Sequence, residues 1–269
     1  MRTFHKVMEA HRQTNAIHYL LPTFQFALNM IRGTEKPGRI SGKLFDEEEF
    51  LNVQAVDNLS AKVTMKVCKL IQACYTGEYE VGARVASDAP NWPTETFSPF
   101  IRTFICLYTG VCNAAITHTN ESLRSCKRQR LAIVKKNLRQ AKRHVRFSEG
   151  RYDAVLHILQ AEIYGIRGRT RTAVATFQDA VDCARAEGLT SLMRLASERA
   201  AALLSKVGRW KEAKMHLEKA ADAYQCWGAD AKVEKLLLRL KELDQEHPTF
   251  SSSFQFMPVN MRSGFAKAA

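Results

Sequence analysis

Forty residues separate two copies of one pattern near the C-terminal end of the chain. Ala161, Gly168, Arg169, Ala173, Ala180 and Gly188 return as Ala201, Gly208, Arg209, Ala213, Ala220 and Gly228. Large apolar positions match between them, Tyr164 with Leu204 and Phe177 with Leu217. The spacing is that of a helix, a tight turn and a second helix. Alanines let the two helices approach closely, the large residues fill the gap between them, and the glycine reverses the chain. A tetratricopeptide unit runs ~34 residues, so a longer period implies longer helices. The clearest copies span 152–188 and 192–228. A degenerate third copy at 61–89 sets Leu70, Ala73, Gly77, Gly82, Ala86 and Ala89 at the same offsets.

This pattern predicts an all-α fold, an α-solenoid of tetratricopeptide-like helical hairpins. At 269 residues and 46% apolar content the chain is long enough to bury a substantial core. Helix formers dominate residues 121–245. One repeat domain is expected over 1–245 and a flexible tail, opened by Pro248 and Ser251 to Ser253, over 246–269. Within the domain, helices are expected over 3–31, with a second one starting at Pro22, then 61–75, 78–89, 100–117, 121–146, 152–166, 170–187, 190–206, 210–226 and 229–243. Asp46 is placed to cap a short helix, and residues 33–45 and 88–99 read as loops.

The first 12 residues are polar and charged, unlike a signal peptide, which points to an intracellular, cytoplasmic chain. The most apolar run, 100–116, is interrupted by Arg102, Thr103, Thr109 and Asn113, and a span needs roughly 20 mostly apolar residues. It reads as a buried helix, with no transmembrane segment expected. Seven cysteines, with no CxxC and no histidine at metal spacing, read as free buried thiols. The sequons at Asn58 and Asn120 carry no weight in an intracellular chain.

Charge is concentrated in one place. Of a net charge of +13, most comes from a segment with no acid between Glu121 and Glu149. It holds Arg124, Lys127, Arg128, Arg130, Lys135, Lys136, Arg139, Lys142, Arg143 and Arg146. Leu131, Val134, Leu138, Ala141 and Val145 recur at three and four, so they face the core and the cations face out. Such a face suits an acidic protein segment, nucleic acid or an anionic surface, and it equally suits plain solvation. Aromatic side chains that would stack bases are absent from it.

No catalytic chemistry is legible. Gly33 and Gly38 bracket four residues as in a phosphate-binding loop, but Arg39 and Ile40 stand where Lys and Ser/Thr belong, and no strand precedes them. His5, His11 and His18 lack the i, i+4 spacing of paired ligands. Nucleophile elbows, kinase catalytic loops and paired carboxylates are absent too. No cofactor, no metal and no enzymatic activity are expected. Trp227 and Gly228 read as a packing anchor at a helix end.

Several clusters together resemble a family. Thr14, Ala16, Ile17, His18, Tyr19, Pro22, Gln25, Leu28 and Asn29 are similar to the helical region of very large multidomain signalling kinases. So are Gly42 with Phe45, Asp46, Glu47 and Glu48, and Cys74 and Tyr75 before Gly77. The ending, Ala223, Tyr224, Gln225, Trp227, Gly228, Ala229, Ala231, Lys232 and Val233, matches as well. The similarity spans most of residues 12–243. It lapses over 91–150, where an acidic, serine-bearing helix and a tryptophan segment give way to Arg102, Thr103 and the polybasic helix. The resemblance implies a serine/threonine kinase-like domain and an AAA-type ATPase before such a region, with GAF and histidine-kinase domains after it. None of their catalytic motifs is present here, so the chain would be the relay or scaffold piece, or else a kinase fragment without independent function. Its partner would be another protein or those flanking domains, held in a concave groove lined by the first helix of each hairpin.

Overall fold

The computed structural model describes residues 14–54, 59–92, 97–119, 124–146 and 151–247. The expected tail, His5, His11 and both sequon asparagines lie outside the described residues. Among those described, the fold is all-α, with ten helices of nine residues or more: α1 (Thr14–Arg32), α2 (Leu59–Thr76), α3 (Tyr79–Ser87), α4 (Pro99–Thr119), α5 (Arg124–Val145), α6 (Asp153–Ile166), α7 (Thr170–Ala186), α8 (Thr190–Lys206), α9 (Trp210–Trp227) and α10 (Asp230–Glu246). Each packs on its neighbour in sequence, and alternate helices α2, α4, α6 and α8 also touch in succession.

The turns explain why the chain reverses so regularly. Gly168, Gly188, Gly208 and Gly228 all have left-handed φ, between 69° and 79°. At each one the next residue's amide reaches back to the helix: Arg169 N to Tyr164 O, Leu189 N to Ala184 O, Arg209 N to Leu204 O and Ala229 N to Tyr224 O. The glycine supplies a conformation that costs other residues a Cβ clash, and the bond satisfies a carbonyl orphaned at the helix end. The structural unit is therefore a single helix plus its turn, recurring every 20 residues, and the 40-residue repeat is two such units.

The small residues sit where close approach requires them. Ala161, Ala173, Ala180, Ala201, Ala213 and Ala220 are all fully buried, as is Leu204, with Phe177 and Leu217 filling the space beside them. Tyr164 is half-buried at the edge of the same core. In the degenerate copy, Gly82 lies against Cys112 and the Ala73 methyl, so α2, α3 and α4 also meet closely.

Three expectations are corrected. Pro22 does not begin a helix. It lies buried inside α1, which continues through it. A proline there removes one helical hydrogen bond, and packing along α2 holds the helix in register. The thiols are all free, but only Cys68, Cys74, Cys106 and Cys112 are buried, while Cys126 and Cys226 are exposed. Nor is the concave groove open, because the last helix packs on the first and reaches the second. From α10, the Lys232 ammonium donates to the Tyr75 carbonyl of α2 and pairs with Glu198 at 2.7 Å. Lys235 donates to Thr76 O at 2.7 Å. The Tyr75 ring packs edge-on against Tyr224 at 6.0 Å and beside Tyr108 at 6.0 Å. Beside this aromatic group lies a buried ion pair, Arg199 with Glu162 at 2.5 Å.

The loop at 33–46 is tied down rather than free. Gln72, fully buried, donates to Pro37 O and Arg39 O and accepts from Asn29, while Ile40, Phe45 and Phe50 form a small second core. Asp46 caps the short turn Glu47–Glu49 as expected, accepting from the amides of Glu48 and Glu49. Gly33 follows a helix, which is no setting for a phosphate loop.

Helix α4 is the apolar run foreseen as a core helix. Its stretch Pro99–Thr117 is long and apolar enough to cross a membrane by length and composition, and 78% of it is buried against other helices.

Candidate functional site

Helix α5 presents three distinct sides because its sequence has three distinct stripes. Val134, Leu138, Ala141 and Val145 are buried against α4 and α6, with Leu131 at their edge. At ~100° per residue, Arg128, Lys135, Lys136, Arg139, Lys142, Arg143 and Arg146 fall together in an arc of roughly 120° beside that stripe. Lys127, Arg128, Lys136, Arg139, Lys142, Arg143 and Arg146 are exposed and Lys135 is half-buried. Arg124 opens the helix.

No described residue gives these exposed cations an ion-pair partner. Elsewhere the cations are often paired, as with Lys214 and Asp244 or Arg209 and Glu212. Arg130 departs from the expected set: it turns inward, half-buried, and donates to Asn113 of α4 at 3.2 Å. It helps fix α5 on α4 rather than adding to the free positive face.

The third side of α5 walls a cleft of about 600 Å³ shared with α3, the turn Ala89–Asn91 and α4. Sequence reasoning missed this cleft, because its two charged walls lie on separate helices. Arg102 comes from α4, and Lys136 and His144 from α5. Among the described residues, no carboxylate lines it. Asp88, next in the chain to Ser87 of the lining, is taken up by Lys66, Asn91 and Trp92, and the bond from Lys66 leads in holding its carboxyl down at about 2. Burial, reinforced by the Arg102 and Arg143 guanidinium groups, holds His144 below the ordinary histidine range. Burial pushes the Cys106 thiol in the wall up to about 12, so it is a neutral group and not a nucleophile.

A second recess, about 490 Å³, lies between α1 and the 33–46 loop and mixes Arg32, Lys36 and Lys43 with Glu35 and Asp46, so carboxylates offset most of its positive charge. Among the described residues, no group of three or more His, Cys, Asp or Glu side chains is arranged to hold a metal. Trp227, expected as a packing anchor, is half in solvent and lies under the Arg194 guanidinium at 4.5 Å. No known protein family matches the chain, and neither does any curated protein or solved structure.

Proposed function

We propose that this chain is a non-catalytic protein-interaction or signal-relay module of stacked tetratricopeptide-like hairpins, akin to the helical region of multidomain sensor kinases and working inside the cell. In this reading its partner, a separate protein or a flanking kinase or ATPase domain, docks an acidic segment on the outer face of α5. One observation carries it: a face of seven cations in a single arc, six of them exposed, with no acid set against it by the rest of the described chain. A like-charged face held together in this way costs self-repulsion, which an acidic partner relieves while speeding encounter. The regular glycine turns and alanine contacts support the hairpin stack, and the filled interior directs docking to the outside. A relay role also requires an element with two arrangements.

Nucleic acid is the competing polyanion. The absence of aromatic side chains from this face speaks against single strands. The deciding experiment is co-immunoprecipitation of the protein against its variant Arg128→Glu, Arg139→Glu, Lys142→Glu and Arg143→Glu, with and without nuclease. A protein with an acidic segment should be retained by the natural chain, survive nuclease and be lost from the variant. Release by nuclease would replace this reading with the polyanion one, and identical captures from both chains would overturn both.

A further inference from the structure

We propose that the cleft between α3, α4 and α5 is a binding site for a small organic anion, a phosphate or carboxylate carried on an apolar body. Its volume, about 600 Å³, lies within the roughly 300–1,000 Å³ range of small-molecule sites. Such sites combine apolar wall with converging polar groups, and this one is more polar than most, with Asn113, Asn137 and Gln140 beside its charged residues. Ile105 of α4 and Ile133 of α5 supply apolar wall, and Arg102 and Lys136 supply the charge.

Two atoms indicate that something is meant to fill it. The Arg102 Nε is buried without a hydrogen-bond partner, and so is the Thr109 Oγ1. Thr109 is only 7% exposed. Polar atoms shut away from water are costly unless they are bonded, and both residues line the cleft. An anion accepting from Arg102 satisfies one, and a hydrogen-bonding group farther along the ligand satisfies the other.

The geometry gives the ligand a length and a direction. Arg130 on Asn113 at one end of the pair, and Arg102 beside His144 at the other, set α4 and α5 antiparallel. Residues 102 and 109 lie on one stripe of α4, about 10 Å apart along its axis at ~1.5 Å per residue. The anionic head sits at the Arg102 end, the body runs past Ile105 and Ile133, and a polar group reaches Thr109. Lys136, exposed at the lip, adds a mobile charge. Arg102 is the selective element: a carboxylate or phosphate can take a planar guanidinium with two oxygens, which a neutral ligand cannot.

The test is a fluorescence titration of the full chain with 1-naphthyl phosphate, with inorganic phosphate and 1-naphthol as separate arms. Naphthyl phosphate should bind saturably at one site, more tightly than either part alone. Arg102→Gln should weaken it about tenfold, the scale of losing a charge-assisted bond, with Arg102→Lys in between. Thr109→Val, nearly the same shape, should leave 1-naphthyl phosphate nearly unchanged, since that probe carries no group for Thr109, but should weaken 6-hydroxy-2-naphthoate, whose hydroxyl lies opposite its carboxylate, several-fold, and this second titration decides the matter if Arg102→Gln loses its helical circular dichroism. Reversal of Arg128, Arg139 and Lys142 alone, which spares Arg143 beside His144 of the cleft wall, should leave this affinity within about twofold at ~0.15 M salt, where screening acts over about 8 Å. That arm separates the cleft from the partner-docking face, so either assignment can fail alone. Absence of saturable binding, indifference of 1-naphthyl phosphate to Arg102→Gln together with indifference of 6-hydroxy-2-naphthoate to Thr109→Val, or loss only on reversal of the outer face would overturn the proposal.

Discussion

Helices α6 to α9 and helices α3 to α5 are built by the same chain to opposite specifications. In the first region, four helices of 14 to 18 residues are joined by turns with nearly identical glycine geometry, and alanines at the contacts leave no room between them. In the second, α3 has only nine residues, against 21 and 22 for α4 and α5. A short helix cannot cover two long ones, and the uncovered part is the cleft. Repetition gives close packing, and the departure from it leaves space and charge.

The sharpest way to break that comparison is to strike the ion pair inside the regular region. Glu162→Ala strands the Arg199 guanidinium, both side chains being at most 4% exposed. It should cost about 3–5 kcal/mol in denaturant unfolding, because an unpaired buried charge is left behind. Arg128→Ala on the outer face of α5 should stay within about 0.5 kcal/mol. Comparable losses from the two would mean that the regions do not differ as described.

Next in size is overpacking. Ala201→Leu, at a fully buried contact, should destabilise by about 1–3 kcal/mol, whereas Ala132→Leu on the exposed side of α5 should leave the thermal midpoint nearly unchanged. Smaller still is the turn effect. Gly168→Ala meets no neighbouring atom within 4 Å, so only its φ of 75° opposes the change, at about 1 kcal/mol. Gly208→Ala should match it, since the two turns share their geometry.

The smallest expected effect depends on pH. Burial lowers the pKa of His144, helped by Arg102 and Arg143, and that of His216, where Lys219 pushes down and Glu212 opposes. The unfolded chain then binds protons more readily than the folded one. Stability is complete above the ordinary histidine value of about 6.5 and falls as pH drops through it toward the lowered folded values. Thermal midpoints measured across that window should fall on acidification, and His144→Gln should flatten part of the slope.

How much of this was legible in the sequence follows from the range of each interaction. The alanine and glycine positions were readable because repetition prints the same requirement twice, and the faces of α5 were readable because helical periodicity is local. The 20-residue unit was visible in Gly168, Gly188, Gly208 and Gly228 but was hidden by the stronger 40-residue identities. The filled interior was not readable, since Lys232 reaches Tyr75 across 157 residues with no spacing rule to announce it. Glu162 and Arg199, 37 residues apart, escaped for the same reason. Arg102 was read as an interruption of an apolar run. Only the neighbouring α5 turns it into one wall of a cleft.

The outer face of α5 as the docking surface is tested most directly by fluorescence anisotropy with a labelled glutamate-rich helical peptide. Three chains are compared: the natural one, the fourfold α5 reversal at Arg128, Arg139, Lys142 and Arg143, and a reversal of equal charge at Arg167, Arg171, Lys211 and Lys241. The last four are exposed cations elsewhere on the array. The expected result is salt-dependent binding that the α5 reversal abolishes and the matched reversal largely preserves. Equal loss from both reversals would show that only net charge matters, and would contradict the assignment of this face as a docking site.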